Sequence, residues 1–453
     1  MSRGKGILFM AAGVAATGGL LFGFDTGVIS GAILQIVREF HFSPVQEEVV
    51  IGAVLAGCIL GAASGGLLAD RFGRKAVIMG TALVFGLGTL MCVAAGSMHM
   101  LIVGRLVVGL GIGTASFAVP LYLSEISPPD KRGALVSLNQ LMITIGIVVS
   151  YCVDGIFSGQ AHGWRWMFLA GLFPALVLGT GMLFLPCSPR WLAARGHANK
   201  AKDALKRLGQ ESSLVHEDEA EQNTGSLREL MSPRLRPVML VGIGIMFVQQ
   251  FTGINTVIYY APTIFKKAGF ASDAAAIWAT VGVGMVNVLM TIAAVRLLDR
   301  IGRKPLLSAG LFFMTLALLS LAGAFRFQHL LAGSMKWVAV GALVVYIAAF
   351  AVSLGPIGWL LISEIYPLNV RGTAMSIATL SNWGFNCIVA MTFLSLVEAV
   401  QPWGAFALYA GIGAAGWFFC RFFVPETKGI SLENIEADLW AGRPVVKLGT
   451  TSG

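Results

Sequence analysis

Charge is what this chain has least of. Only 12% of its 453 residues are Asp, Glu, Lys or Arg, against about 25% in a soluble domain, and 56% are hydrophobic. Water is therefore not its main solvent. No GxxxxGK(S/T) loop is present to cradle a nucleotide, which excludes the usual ATP-driven pump, and no HExxH helix is present to hold zinc. Neither a Ser-His-Asp grouping nor a Cys/His cluster points to an enzyme, and no cofactor is expected. The cysteines (Cys58, Cys92, Cys152, Cys187, Cys387, Cys420) form no CxxC pair and all lie in or at the ends of apolar stretches, so they imply neither a disulfide framework nor a metal site. N-x-S/T acceptors are also missing, which with the short loops fits a bacterial inner membrane.

What the chain does have is long uncharged runs. A helix needs roughly 20 apolar residues to cross a bilayer core. Runs of that order extend over 76–104, 166–189, 237–265, 274–295, 305–325, 337–363, 372–397 and 399–420, with four more at 6–36 (interrupted by Asp25), 49–69, 106–124 and 133–153. The expectation is an all-α membrane protein of twelve transmembrane helices. The first run has no small-residue cleavage pattern and is read as a retained span, not a signal peptide. The net charge of +9 would suggest nucleic acid in a soluble protein; here its placement orients the chain. With the N-terminus in the cytoplasm, only Arg38, Arg165, Lys266, Lys267, Arg326 and Lys336 fall outside, Arg105 lies within a span, and the remaining Lys and Arg fall on the cytoplasmic side. Both termini are expected inside, with the bilayer as partner and no nucleic acid.

The polar segment 190–236 divides the spans six and six. The expected organisation is an N-terminal half over 1–189, a helical linker over 190–236 with a capping box at Ser226 and Glu229, a C-terminal half over 237–425 and a tail over 426–453. The halves repeat. SEISPPDKRG from Ser124 returns as SEIYPLNVRG from Ser363, PCSPRW from Pro186 returns as PETKG from Pro425 at the same offset, and DRFGRK from Asp70 returns as DRIGRK from Asp299 at a slightly shorter one. Two pseudo-symmetric six-helix halves in parallel repeat predict a substrate site between them, open alternately to each side. The glycine-rich strings GLGIGT from Gly109 and GIGAAG from Gly411 lie inside apolar runs and are read as close helix packing, not as nucleotide loops.

GGLLADRFGRK, PLYLSEISPPDKRG, PCSPRWL, QQFTGINTVIYYAP, DRIGRKPLL, GPIGWLLISEIYP, SNWGFN and PETKG, taken in order, resemble the sugar porter branch of the major facilitator superfamily over nearly the whole chain. The resemblance implies a major facilitator fold and a secondary transporter of a monosaccharide, a hexose such as glucose or galactose or a pentose, working as a monomer. Symport with protons is the first reading. A passive uniporter and a transporter-like sugar sensor are the alternatives, the sensor being disfavoured by the short segment after Pro425.

Sugar hydroxyls both donate and accept, so a site within a membrane calls for neutral amides, together with an aromatic face for the C–H surface. Gln140, Gln249, Gln250, Asn255, Asn287, Asn382 and Asn386 all lie in apolar runs, although interhelical hydrogen bonding is an equally ordinary use of such amides. The resemblance implies sugar contacts at Gln140, Gln249, Gln250, Asn255, Asn287, Trp359 and Asn386, with Phe22, Tyr259, Tyr260, Asn382 and Trp383 as second-rank lining residues. Ala351 stands where some relatives carry a polar group. Asp25, a lone carboxylate in mid-span, calls for a partner, and Arg105 is the one basic residue deep in a span of the same half. The resemblance assigns the string FGFDTGVISG to proton-coupled members. It also implies a cytoplasmic lock made of Asp70, Arg71, Arg74, Glu125, Arg132, Arg190, Asp299, Arg300, Arg303, Glu364, Arg371 and Glu426, its ion pairs exposed part of the time and each contributing about 0.2–1 kcal/mol; topology signals alone are the plainer reading. Cys187 stands where the family commonly has Glu, an expected weakening of that lock toward the inward-open state.

Overall fold

The computed structural model describes residues 3–128, 132–210, 227–331, 333–367, 370–430 and 432–448, and their regular structure is helical throughout. Two compact units divide the chain, Met1–Asp218 and Glu219–Gly453, and the division falls inside the polar segment. Ser226 lies outside the described residues; Glu229 is on the one-turn helix Leu227–Leu230.

Unit 1 contains α1 (Arg3–Phe40), α2 (Pro44–Phe72), α3 (Arg74–Val93), α4 (Met98–Ile126), α5 (Arg132–Phe157), α6 (Gly163–Ala170) and α7 (Leu172–Phe184), followed by the short helices α8 (Pro189–Ala194) and α9 (Ala198–Leu208). Unit 2 begins with α10 (Leu227–Leu230). It continues through α11 (Arg236–Phe251), α12 (Ile254–Lys267), α13 (Asp273–Ile301), α14 (Arg303–Arg326), α15 (Met335–Val352), α16 (Leu354–Ile365), α17 (Arg371–Ala390), α18 (Phe393–Phe423) and α19 (Leu432–Trp440).

Several expected spans are pairs of helices broken at a residue that cannot continue the spiral. The seventh span breaks at Gly253 (φ +89°) between α11 and α12, and the tenth at Ser353 (φ −123°, ψ −99°) between α15 and α16. Eleven stretches among the described residues are long and apolar enough to cross a membrane by composition. The twelfth emerges from the backbone. Gln401 (φ 61°, ψ 164°) turns the chain within α18, and Pro402 then opens a fresh helix, since proline suits a first turn and breaks an interior one. Segment 393–400 thus continues the run begun by α17, whose amides and hydroxyls make it too polar to qualify alone. Large apolar side chains on the outer faces, such as Leu83, Phe173 and Phe184 in unit 1 and Phe312, Phe418 and Phe422 in unit 2, are more than half exposed, as surfaces facing lipid are.

Glycine sets the packing of unit 1. Gly19, Gly23, Gly27 and Gly31 recur every fourth residue of α1, and a Cβ at these positions would run into Asn139, Ile143, Ser150 and Asp154 of α5. Gly109 and Gly113 of α4 press on the backbones of Val54 and Cys58 of α2 in the same way, so the first glycine-rich string serves helix packing, as its apolar context implied. In unit 2, Gly413 and Gly416 abut Thr315 and Val248. Without a hydrophobic drive between helices in lipid, such backbone-to-backbone contact is what holds spans together. Gly23→Ala should therefore lower the melting temperature of the purified protein by several degrees, overpacking costing about 1–3 kcal/mol. Gly80→Ala, with nothing within 4 Å of the added methyl, should leave it unchanged or raise it; equal shifts in the two variants would refute the packing role.

Candidate functional site

Asp25 and Arg105 meet. The Arg105 guanidinium donates to Asp25 Oδ1 at 2.6 Å, with the two residues 1% and 4% exposed. The Phe168 ring lies 5.9 Å from the Arg105 guanidinium carbon, and Arg105 Nε has no hydrogen-bond partner among the described residues. Gly23 and Gly27 press on α5, and Asp25, two residues from each, lies on the opposite side of α1, its carboxylate turned to Arg105 of α4. A pair this deeply buried balances a large desolvation cost against Coulomb attraction, and removing one member alone leaves a stranded charge at about 3–5 kcal/mol. Phe22 of α1 and Gln140 of α5 are half-buried in the same unit.

In unit 2 the amides join into a chain. Asn255 Nδ2 donates to Gln250 Oε1 at 2.7 Å, Gln250 Nε2 to Asn382 Oδ1 at 3.0 Å, Asn382 Nδ2 to Gln249 Oε1 at 2.6 Å, and Gln249 Nε2 to the Leu354 carbonyl at 2.7 Å. Gln249, Gln250 and Asn255 lie on one span, as expected. The break at Gly253 places Asn255 on α12, where its amide can turn back to Gln250. That break is braced: the Tyr346 hydroxyl donates to the Thr252 carbonyl at 2.8 Å, and a Cβ on Gly253 would meet the Tyr409 ring. Asn382 thereby moves from a second-rank lining position to the centre of the chain. Asn386 stands apart from it, its Nδ2 donating to the Tyr259 hydroxyl at 3.4 Å while its buried Oδ1 finds no partner among the described residues. Tyr260 is fully buried, donates to the Ala390 carbonyl at 3.2 Å and packs on Phe393. Asn287 on α13 and Trp383 on α17 are buried and Trp359 on α16 half-buried, all outside the amide chain; Ala351 is buried near the end of α15.

The charged ends of the helices form one cluster in each unit. In unit 1, Arg74 pairs with Glu125 at 2.9 Å and Asp70 at 3.0 Å. In unit 2, Arg303 pairs with Glu364 at 2.9 Å, and Thr427 donates to the other Glu364 oxygen. The Arg74–Glu125 and Arg303–Glu364 side chains are only 9–16% exposed in this arrangement, shielded by neighbouring helix ends. Arg71 lies over the Phe72 ring, Arg300 is exposed, Arg190 is half-buried on α8, and the Arg371 Nε donates to the Tyr366 carbonyl at 3.0 Å. The side chains of Arg132 and Asp299 lie outside the described residues.

The repeat explains Glu426, and with it Cys187. Glu426 caps the first turn of α14, accepting the backbone N–H groups of Arg303 and Lys304 at 3.0 Å each and of Lys428 at 2.9 Å. A Cβ on Gly302, which opens that helix, would meet this carboxylate; a Cβ on the equivalent Gly73 of unit 1 would meet the Trp191 ring. The Cys187 side chain packs instead on Leu192, Ala201 and Ala204. The space is filled by the indole, whose Nε1 donates to the Asp70 carbonyl at 2.9 Å, while Lys75 Nζ holds the Leu183 and Leu185 carbonyls. Sequence reasoning missed Trp191 because its role exists only through the absent acid. Glu426→Cys should lower stability by about 1–2 kcal/mol, the value of a carboxylate cap at a helix N-terminus, and Cys187→Glu should return less than that because Trp191 already occupies the position. Thermal unfolding of both variants checks this, and an unchanged melting temperature in Glu426→Cys would remove the cap from the account.

The "Sugar (and other) transporter" family profile matches residues 11–439. The YwtG protein of Bacillus subtilis, named for metabolite transport, is 46% identical over 430 residues, covering 94% of this chain and 93% of its own. The D-xylose transporter of Levilactobacillus brevis is 40% identical over 447 residues, with 96% and 97% covered. Among solved structures, the partially occluded inward-open form of the xylose transporter XylE from E. coli superposes with a TM-score of 0.80 at 31% identity, covering 94% of this chain and all of that one. This multi-pass membrane protein belongs to the sugar transporter family of the major facilitator superfamily.

Proposed function

We propose that this chain imports a monosaccharide together with protons across a bacterial inner membrane, both its termini in the cytoplasm and its two halves giving alternating access as parallel-repeat carriers do. The observation that carries the proton half of this reading is the buried Asp25–Arg105 pair. Intramembrane acids with one basic partner are where proton-driven carriers take up their proton. Protonating Asp25 cancels the attraction that holds Arg105, and because α1 is seated on α5 through its glycines, the helix pair responds as one body. Support also comes from relatives: the galactose-proton symporter of Escherichia coli K12 is 38% identical over 457 residues. The paired charge clusters at the helix ends act as the cytoplasmic lock in this scheme, opening and closing with the halves.

For the sugar half, the amides of unit 2 offer donors and acceptors in one apolar setting, with Trp359 and Trp383 as aromatic surfaces. Gln250→Ala or Asn287→Ala should weaken monosaccharide binding about five- to 150-fold, the cost of a hydroxyl left unpaired, without unfolding the protein. Calorimetry on purified protein measures this, and full affinity in both variants would return these amides to helix packing.

One charge moving down about 150 mV supplies roughly 3.5 kcal/mol, enough for a gradient of a few hundredfold. Asp25→Asn mimics the protonated acid permanently. It should keep sugar binding and counterflow exchange and lose uphill accumulation in energised vesicles. Accumulation by Asp25→Asn, with wild-type uptake that does not acidify the vesicle interior, would make this a passive carrier; binding without any counterflow in the wild type would make it a sensor.

A further inference from the structure

The amide chain of unit 2 admits one direction only. Leu354 contributes a backbone carbonyl, which can only accept, so Gln249 must turn its NH2 toward it. That leaves Gln249 Oε1 facing Asn382, which must answer with its own NH2. Asn382 Oδ1 then faces Gln250, whose NH2 donates to it, and Gln250 Oε1 receives the NH2 of Asn255. An isolated amide can turn end for end and exchange donor for acceptor. Here each is fixed by the next, and the series is anchored at the first residue after the Ser353 break. Asn382 is the joint between α11 and α17. Its amide nitrogen also contacts Met246 Sδ at 3.2 Å, so its NH2 is fully engaged, and the residue is only 5% exposed.

We propose that Asn382 is a positioning residue that determines specificity. Through it the Leu354 carbonyl fixes Asn255 Oδ1 as an acceptor at the half-buried end of the chain, so the substrate hydroxyl meeting that oxygen has to donate. The proposal rests on the sugar reading above and sharpens it: the site selects a hydroxyl by the direction of its hydrogen bond as well as by its place on the ring. Fluorine in place of that hydroxyl preserves size and polarity but has no hydrogen to give. A site with freely turning amides would answer fluorine with an N–H; this one cannot.

The test is calorimetry on purified wild type and Asn382→Leu with D-glucose, D-galactose and D-xylose, followed by the monodeoxy and monodeoxyfluoro analogues of whichever binds most tightly. In the wild type, one fluoro analogue should bind about tenfold more weakly than the parent sugar and no better than its deoxy counterpart, because the Asn255 acceptor stays unmet. In Asn382→Leu the Gln250 and Asn255 amides are free to turn, so the fluoro-to-parent ratio at that position should fall to within about twofold even as affinity for the parent drops. A merely structural role would weaken both ligands equally and leave the ratio standing, which overturns the proposal; so does a wild type that binds every fluoro analogue as well as the parent. Should Asn382→Leu fail to fold, Gln249→Met cuts the same chain one step nearer Leu354 and carries the same expectation. If the wild type binds none of the three sugars, the sugar reading itself falls; if it binds but the ratios do not move, only the direction of the chain is wrong.

Discussion

Inside a bilayer there is no water to satisfy a polar group, and each one left unmet costs several kcal/mol. The interior of this protein is organised around that shortage. Asp25 is answered by Arg105, Asp154 by the Gly31 N–H at 3.1 Å, and the amides of unit 2 by one another and finally by a backbone carbonyl. Even the breaks in the spans are closed locally: the Thr252 carbonyl is taken by Tyr346, and Ser353 Oγ donates back to the Ala349 carbonyl at 2.6 Å. A ligand meeting the amide chain of unit 2 exchanges bonds with groups already satisfied, so recognition there turns on which internal bonds it can replace without loss, whereas Asn386 Oδ1 stands without a partner among the described residues.

The two units began from one sequence pattern and meet the constraint differently. In unit 1 the first helix is a single rod of 38 residues seated by glycines on α5, and the polar investment is a charge pair. In unit 2 the corresponding span is cut at Gly253, which allows α11 and α12 to aim their amides at one another. The unit whose first helix is unbroken carries a charge pair, and the one whose corresponding span is broken carries a chain of amides. Their helix-end clusters diverge as well, with Glu426 in one unit replaced by Trp191 and Lys75 in the other.

Most of this was legible in the sequence because membrane spans announce themselves by what they omit. The spans, the six-and-six division, the repeat, the Asp25–Arg105 pairing and the packing use of GLGIGT all follow from apolar length, offset and the rarity of charge. Three things did not follow. The break at Ser353 has no glycine or proline at its own position; Gly355 and Pro356 just beyond it signal a break without fixing where it falls. The turn at Gln401 is a positive-φ non-glycine residue followed by Pro402, and the proline alone does not say which side the helix stops. The direction of the amide chain depends on the Leu354 carbonyl, and a backbone atom leaves no mark in the sequence. Asn382 was visible as an amide in a span; that it joins two others required the geometry.

Under the proposed symport, the same magnitudes explain why proton and movement would be bound together. Asp25 loses its charge on protonation while Arg105 keeps its own, and a buried guanidinium without a counter-ion stands at about 3–5 kcal/mol. The face of the Phe168 ring offsets part of that, at about 0.5–2 kcal/mol for a cation over an aromatic ring, and leaves at least about 1 kcal/mol unmet. Under that scheme the protonated protein is disfavoured in the arrangement seen here and is driven toward one where Arg105 meets another partner or water. The energy that ties one protonation state to one conformation is of the same size as the roughly 3.5 kcal/mol that a membrane potential of about 150 mV supplies per charge. A weaker pair would let the protein move without its proton, and a stronger one would hold it still against the field.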